Sequence, residues 1–289
     1  MKRTTFLWFG LAVGMTACGG GEPPGFDTPE SALHDPVADV YLVSNIHGAP
    51  TAKDGNGYIA RVAPDGSMQR RWIAGGQDGV TLHAPKGLAL QERVLWVADI
   101  DVVRRFDAGS GRPLGEVAIP GATFLNDVSA GPDGAVYVTD TGLDANFLPT
   151  GTDAIWRIAK DGAVTPLLRG LELGQPNGLV AREGGVYVVS WRDGTFFQVD
   201  YRGVRTDLGK APMAQLDGLV RVEGKQAGEA PGWLSTSWAG KCVYRFDVSG
   251  GVTRLPGTYE QPADCGFDGQ RRRLLVPLFG LNRLELLPL

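Results

Sequence analysis

Histidine and cysteine are scarce in this sequence, three of each in 289 residues. The histidines are scattered, which leaves no spacing on which a zinc site of His and Cys ligands could be built. Lys and Arg nowhere form a long run and the formal net charge is −4, so no nucleic-acid footprint is present. The densest basic run, "QRRRLL" (270–275), follows the turn pair Asp268-Gly269 and reads as a solvated hairpin. Beyond the N-terminus no segment sustains a 3.6-residue apolar period, which excludes a helical scaffold.

What is abundant points to strands. The chain carries 42 Gly and is 43% hydrophobic, enough for one large domain or two small ones. Runs of β-branched and aromatic residues alternate with Gly and Asp-Gly punctuation, the pattern of an all-β protein with tight turns.

The N-terminus reads as a targeting segment. Lys2 and Arg3 precede "TTFLWFGLAVGM", an apolar stretch too short to span a bilayer, and "MTAC" then places Cys18 where a bacterial lipobox carries its lipidated cysteine. The expected organisation is a lipoprotein signal peptide (1–17), a lipidated flexible tether (18–28) and a propeller (29–289). Several acyl chains on Cys18 would anchor the protein stably, whereas one binds only marginally. An exported protein of the bacterial cell envelope follows, a monomer that meets the membrane through its anchor alone. Cys242 and Cys265 remain. One disulfide is open to them, but the apolar strand frame of Cys265 favours two separate buried thiols.

A repeat organises everything after the tether. "QPNGLV" (175–180) and "QLDGLV" (215–220) share an apolar frame, and each precedes a strand, "VYVVSW" (186–191) and "WLSTSW" (233–238). The same couplet occurs in "LNDVSAGPDG"/"AVYVTDTG", "PKGLALQER"/"VLWVADID", "PADCGFDGQRR"/"RLLVPLFG" and "PESALHDPVA"/"DVYLVSNIHG". A third strand follows each, and most run on into a fourth. Recurrence at 40 to 56 residues describes a six-bladed β-propeller of about four antiparallel strands per blade. The last copy ends after its third strand, so closure calls for an N-terminal segment as the missing outer strand.

The first strand of each blade lines the central channel. At the matched position stand Glu30, Lys86, Asn126, Asn177, Asp217 and Asp264. Asn-Gly and Asp-Gly pairs are common turn formers, yet Asn177 and Asp217 precede strands, in phase with Glu30 and Asn126, rather than following them. A central polar cluster is the expectation. Its carboxylates and amides offer only hard oxygen ligands, which suit Ca²⁺ or another hard divalent cation: Glu30 and Asp217 would neutralise charge, and Asn126 and Asn177 would add carbonyl oxygens. Such an ion can polarise a substrate oxygen, with Asp217 or Asp264 as general base. Lys86 would either counter negative charge on that oxygen or bridge to Asp264. Trp191 and Trp238 would rim the pocket or pack between blades. His47 and His83 lie near strand ends, on the surface or at a channel mouth.

At these residues the sequence resembles the superfamily of six-bladed propellers that includes senescence marker protein (regucalcin), gluconolactonase and strictosidine-synthase-like proteins. The resemblance spans nearly the whole mature chain, and Glu30, "LNDV" (125–128), "PNGL" (176–179) and "LDGL" (216–219) carry it. It implies that Glu30, Asn126, Asn177 and Asp217 hold a catalytic divalent metal, usually Ca²⁺, with Asp217 also the general base. It implies hydrolysis, mostly of lactones, with relatives acting on organophosphates. Two departures stand out: Ser31-Ala32 follows Glu30 in place of Gly-Pro, and Thr123 and Phe124 stand where sugar-lactone members carry an arginine. The expected function is a Ca²⁺-dependent, envelope-anchored hydrolase of small lactones or esters. The alternative is a non-catalytic, metal-stabilised propeller that binds a ligand or protein partner.

Overall fold

A computed structural model describes residues 25–224 and 231–289. The targeting segment, Cys18 and most of the tether lie outside the described residues. Six sheets follow one another along the chain, in residues 29–74, 85–118, 125–169, 176–210, 216–254 and 266–288. Within each sheet the strand order is the chain order and the pairing is antiparallel. This is the six-bladed propeller expected from the repeat. Among the described residues no helix is long and apolar enough to cross a membrane.

Burial falls from the axis outward, and composition follows it. The second strands are the most enclosed, with Val40–Asn45, Val136–Asp140 and Gly232–Ser237 buried at every position, because neighbouring blades cover both faces. That explains their near-continuous apolar or small-residue runs. The outermost strands, such as Pro113–Ala118 and Arg205–Lys210, are largely exposed and carry charge, which protects these free edges from pairing with other chains.

The apolar core lies between blades. Leu42 and Ile59 of the first blade pack with Leu95, Val97 and Phe106 of the second, and Val243 of the fifth packs with Leu274 and Val276 of the sixth. Each such side chain stabilises the fold by roughly 1.5–3 kcal/mol of burial. Cys242 and Cys265 are both buried and unpaired, as separate thiols.

The N-terminal segment expected as the missing outer strand lies mostly outside the described residues. The sixth sheet holds three strands, and residues 25–28 do not extend it on the outside. Thr28 N–H donates instead to Asn282 Oδ1 at 2.7 Å, and Phe26 packs with Leu284 against the first-blade core. Closure is made at the axis, where Asp264 N–H donates to the Glu30 carbonyl at 2.9 Å and Ser31 pairs with Asp264 in a parallel bridge. The basic run forms the expected hairpin, and Arg271 reaches across the seam to Asp39 at 2.6 Å.

Candidate metal centre

Five inner strands carry the same irregularity at the same place. Pro29 pairs with Asn45 and Ala32 with Val43, so three steps on one strand face two on the other. Identical shifts occur at 85–88, 125–128, 176–179 and 216–219. Each is a β-bulge, which re-aims side chains that a regular pleat would send elsewhere. Glu30, Lys86, Asn126, Asn177 and Asp217 are the first residues inside these bulges, and all five line one cavity of about 600 Å³.

Hydroxyl side chains on the second strands catch the backbone that the bulges leave unpaired. Ser31 N–H donates to Ser44 Oγ at 2.9 Å, Asp127 N–H to Thr139 Oγ1 at 3.0 Å and Gly218 N–H to Thr236 Oγ1 at 2.9 Å. Just upstream, Thr28, Gln175 and Gln215 adopt left-handed φ values of 52°, 60° and 56°, a conformation that non-glycine residues take rarely. Their carbonyls accept the N–H groups of Ile46, Trp191 and Trp238 at 3.0–3.1 Å. That link places Ile46, Trp191 and Trp238 around the cavity mouth.

The inner strands approach one another closely. A Cβ on Gly218 would lie 2.2 Å from Cys265 N, and one on Gly87 would lie 2.4 Å from Asp127 Cα. Only glycine admits such contact, which explains Gly directly after Lys86 and Asp217.

Four oxygens of the ring have no hydrogen-bond partner although they are buried: Glu30 Oε2, Asn126 Oδ1, Asn177 Oδ1 and Asp217 Oδ1. Buried oxygens are normally paired, and an unpaired one costs roughly 1–3 kcal/mol. For Asn126 the orientation has a cause, because its amide nitrogen donates to Thr141 Oγ1 at 3.0 Å and turns the oxygen away. Burial pushes the Glu30 carboxyl well above its usual range, and the Asp217 and Asp264 charges add to the effect. Asp217 is raised by burial and by Asp264. Four hard oxygens, two of them on carboxyls held against ionisation, fit a hard divalent cation. Among the described residues no three His, Cys, Asp or Glu side chains converge as a metal-binding group. The donor set that does converge is half amide.

Lys86 is 1% exposed and its Nζ donates to the Pro50 and Ala84 carbonyls at 2.9 and 3.1 Å. The ammonium also sits 4.5 Å from the Phe124 ring centroid. It therefore does not bridge to Asp264, the second role considered for it. Burial lowers its pKa to about 8 against the opposing pull of Glu30 and Asp99. Asp264 does not line the cavity. Its carboxylate accepts from Ser31 Oγ, and burial raises it to about 7. His47 pairs with Asp27 at 2.6 Å and His83 accepts the Gly55 N–H, and neither lines the cavity.

The sequence reading missed Asp127. It is 5% exposed, accepts Leu179 N–H at 2.8 Å across to the next blade, and lies close enough to Asp264 and Asp217 to be raised by them after burial itself. It also missed Phe147 and Phe279 at the cavity wall, where Phe124, noted for standing in place of an arginine, joins them.

No protein-family profile matches the chain, and no curated protein matches it in sequence. Solved structures match it in shape. A gluconolactonase from Xanthomonas campestris superposes with a TM-score of 0.69 at 20% identity, covering 91% of this chain and 86% of that one. A virginiamycin B lyase from Staphylococcus aureus gives 0.62 at 16% identity over 92% and 97%. Regucalcin from Agrobacterium tumefaciens, a calcium-binding protein, gives 0.58 at 18% over 87% and 82%. A hydrolase, a lyase and a calcium-binding protein share this scaffold, so the fold alone does not choose the chemistry. At these identities the likeness shows the fold: a six-bladed propeller of the kind that gluconolactonase and regucalcin adopt.

Proposed function

We propose that the protein is a divalent-metal-dependent hydrolase of small lactones or esters, with Ca²⁺ as the ion its oxygen donors favour. The observation that carries this reading is the set of four partnerless buried oxygens on the walls of one open cavity. The structural likeness to a gluconolactonase supports it.

Glu30, Asn126, Asn177 and Asp217 would hold the ion. When bound, it supplies Lewis acidity toward the substrate carbonyl oxygen. Asp217 takes a proton from the attacking water as the new C–O bond forms, and returns it to the leaving alkoxide when the ester C–O bond breaks. Its Oδ1 is buried without a partner on the cavity wall, within reach of whatever occupies the ring. Lys86, fixed by two carbonyls and the Phe124 ring, provides positive charge in the same cavity for the developing oxyanion. Asp264 acts from behind the ring, as the group that secures Ser31 and the Glu30 backbone.

The test is acid release from a panel of lactones and esters by chelated protein, with and without added Ca²⁺. The reading predicts hydrolysis restored by calcium and lost in Asp217→Asn. Calcium binding without turnover would favour the alternative, a ligand-binding propeller. The N-terminal lipobox pattern supports a second part of the proposal, an envelope location with the propeller tethered through Cys18.

A further inference from the structure

The ring leaves one question open: what kind of molecule fills the space above it. Charged side chains in the cavity wall are confined to Glu30, Lys86 and Asp217, all at the floor. The wall above them is apolar and mostly aromatic. Trp191 and Trp238 meet edge to face with ring centroids 5.4 Å apart, Trp238 and Phe279 lie at 5.2 Å, and Phe124 and Phe147 at 6.1 Å. Ile46 and Leu143 fill between them.

Polar groups available to a substrate are few. Lys86 spends two of its three N–H donors on the Pro50 and Ala84 carbonyls and stacks on the Phe124 ring, leaving one donor at the floor for the carbonyl oxygen and none for the rest of the substrate. Thr141 Oγ1 already serves Asn126 and the Pro176 carbonyl. Gln175 and Gln215 are the remaining polar residues high on the wall. Among the rings of this wall the buried, unpartnered indole N–H of Trp238 is one donor, and a substrate carrying many hydroxyls would bury most of them against ring faces, each unpaired hydroxyl weakening binding.

The loop over the third blade strengthens this contrast. Its backbone is held by the Leu143–Pro149 bridge, by Asp144 Oδ1 accepting the N–H groups of Asn146 and Leu148, and by Thr150 N–H donating to the Gly142 carbonyl. So fixed, it presents Phe147 and Leu148 at 55% and 59% exposure, with Phe147 at a left-handed φ of 58°. A bulky residue in that conformation at the rim of a cavity marks a built feature rather than a slack turn. Two exposed apolar side chains there gain by being covered.

We propose that the cavity selects lactones or esters with an uncharged apolar body, an alkyl chain or an aryl group, seated in the aromatic collar while the carbonyl meets the ring below. This deepens the hydrolase reading and rests on it. Each buried methylene should raise kcat/KM by about three- to fourfold.

The experiment compares γ-lactones bearing methyl, butyl and octyl side chains with the polyhydroxylated glucono-δ-lactone, for the calcium-loaded protein and for Phe147→Ser. In parallel, binding of the uncleavable methyl, butyl and octyl γ-lactams is read by quenching of indole fluorescence. The proposal expects kcat/KM to climb with chain length, the polyol to be the poorest substrate, and Phe147→Ser to flatten the climb through KM, with Phe147→Leu restoring it. Turnover that ignores chain length, or that favours the polyol, overturns the substrate class and leaves the hydrolase reading intact. If nothing is turned over, the hydrolase reading fails. Lactam affinity then decides the collar: quenching that tightens from methyl to octyl keeps the apolar ligand, and quenching that does not tighten refutes it.

Discussion

The side-chain amide of Asn126 donates through nitrogen to Thr141 Oγ1 at 3.0 Å, and its oxygen is left facing the cavity without a partner. Thr141 in turn donates to the Pro176 carbonyl at 2.9 Å, one residue before Asn177. One hydroxyl thus orients a donor of the ring and ties two neighbouring blades together. Thr141→Val removes both bonds with little change in volume. Calcium affinity is expected to fall about 10- to 100-fold, as for other groups that orient a metal ligand. Thr141→Ser should keep most of it. Calorimetric titration of the two variants reads the difference.

The carboxyls of the axis give the chelated protein a distinctive pH dependence. Glu30, Asp127, Asp217 and Asp264 are all raised, first by burial, with Asp264 at about 7. A carboxyl raised in the folded state binds its proton more tightly there than in the unfolded chain. Its contribution is therefore favourable at low pH and is lost as pH rises from about 4 toward 7. Asp39, held at about 2 by the Arg271 hydrogen bond, titrates below this window and does not offset the slope. Thermal midpoints in chelator should fall between about pH 5 and 7. Added calcium should flatten that fall by neutralising the ring.

Gly218 is fixed by contact rather than by backbone angle. A Cβ there would meet Cys265 N at 2.2 Å and Asp264 Cα at 2.8 Å. Gly218→Ala should push two inner strands apart, lowering stability by about 1–3 kcal/mol. Because Asp217 is its neighbour, calcium affinity should drop as well. Denaturant unfolding with and without calcium separates the two effects: the calcium-dependent part of the stability should shrink.

The tether prediction is independent of the propeller. With Cys18 lipidated, the full chain should sediment with membranes and incorporate labelled palmitate. Cys18→Ser should leave it in the soluble fraction and unlabelled. Unchanged membrane association in that variant would rule out the anchor.

The architecture was legible because a repeat exposes phase. Once "PNGL" and "LDGL" were aligned, the position of Asn177 and Asp217 at the start of an inner strand followed, and with it the convergence of Glu30, Lys86 and Asn126. Asp127 was hidden by the rule that made the rest visible. In a regular strand, neighbours of a channel-facing residue point away, and only the bulge at 125–128 brings Asp127 near Asp217 and Asp264 as well. The supposed Lys86–Asp264 bridge failed because the two residues share a phase but not a depth: one is drawn to Pro50, the other to Ser31. Phe147 depends on how a loop folds over a neighbouring strand, and a strand repeat carries no signal for that. The strand count gave no sign of the contact made at the axis, where Asp264 N–H meets the Glu30 carbonyl.

The central claim is that the partnerless oxygens of Glu30, Asn126, Asn177 and Asp217 hold one hard cation. Calorimetric titration of the chelated protein with calcium chloride tests it most directly, in wild type, Asn177→Ala and Asn177→Asp. The account predicts one ion per chain, an affinity at least about tenfold weaker in Asn177→Ala, and binding kept in Asn177→Asp, which retains an oxygen at that position. Absence of binding in the wild type, or equal binding in a folded Asn177→Ala, would contradict it.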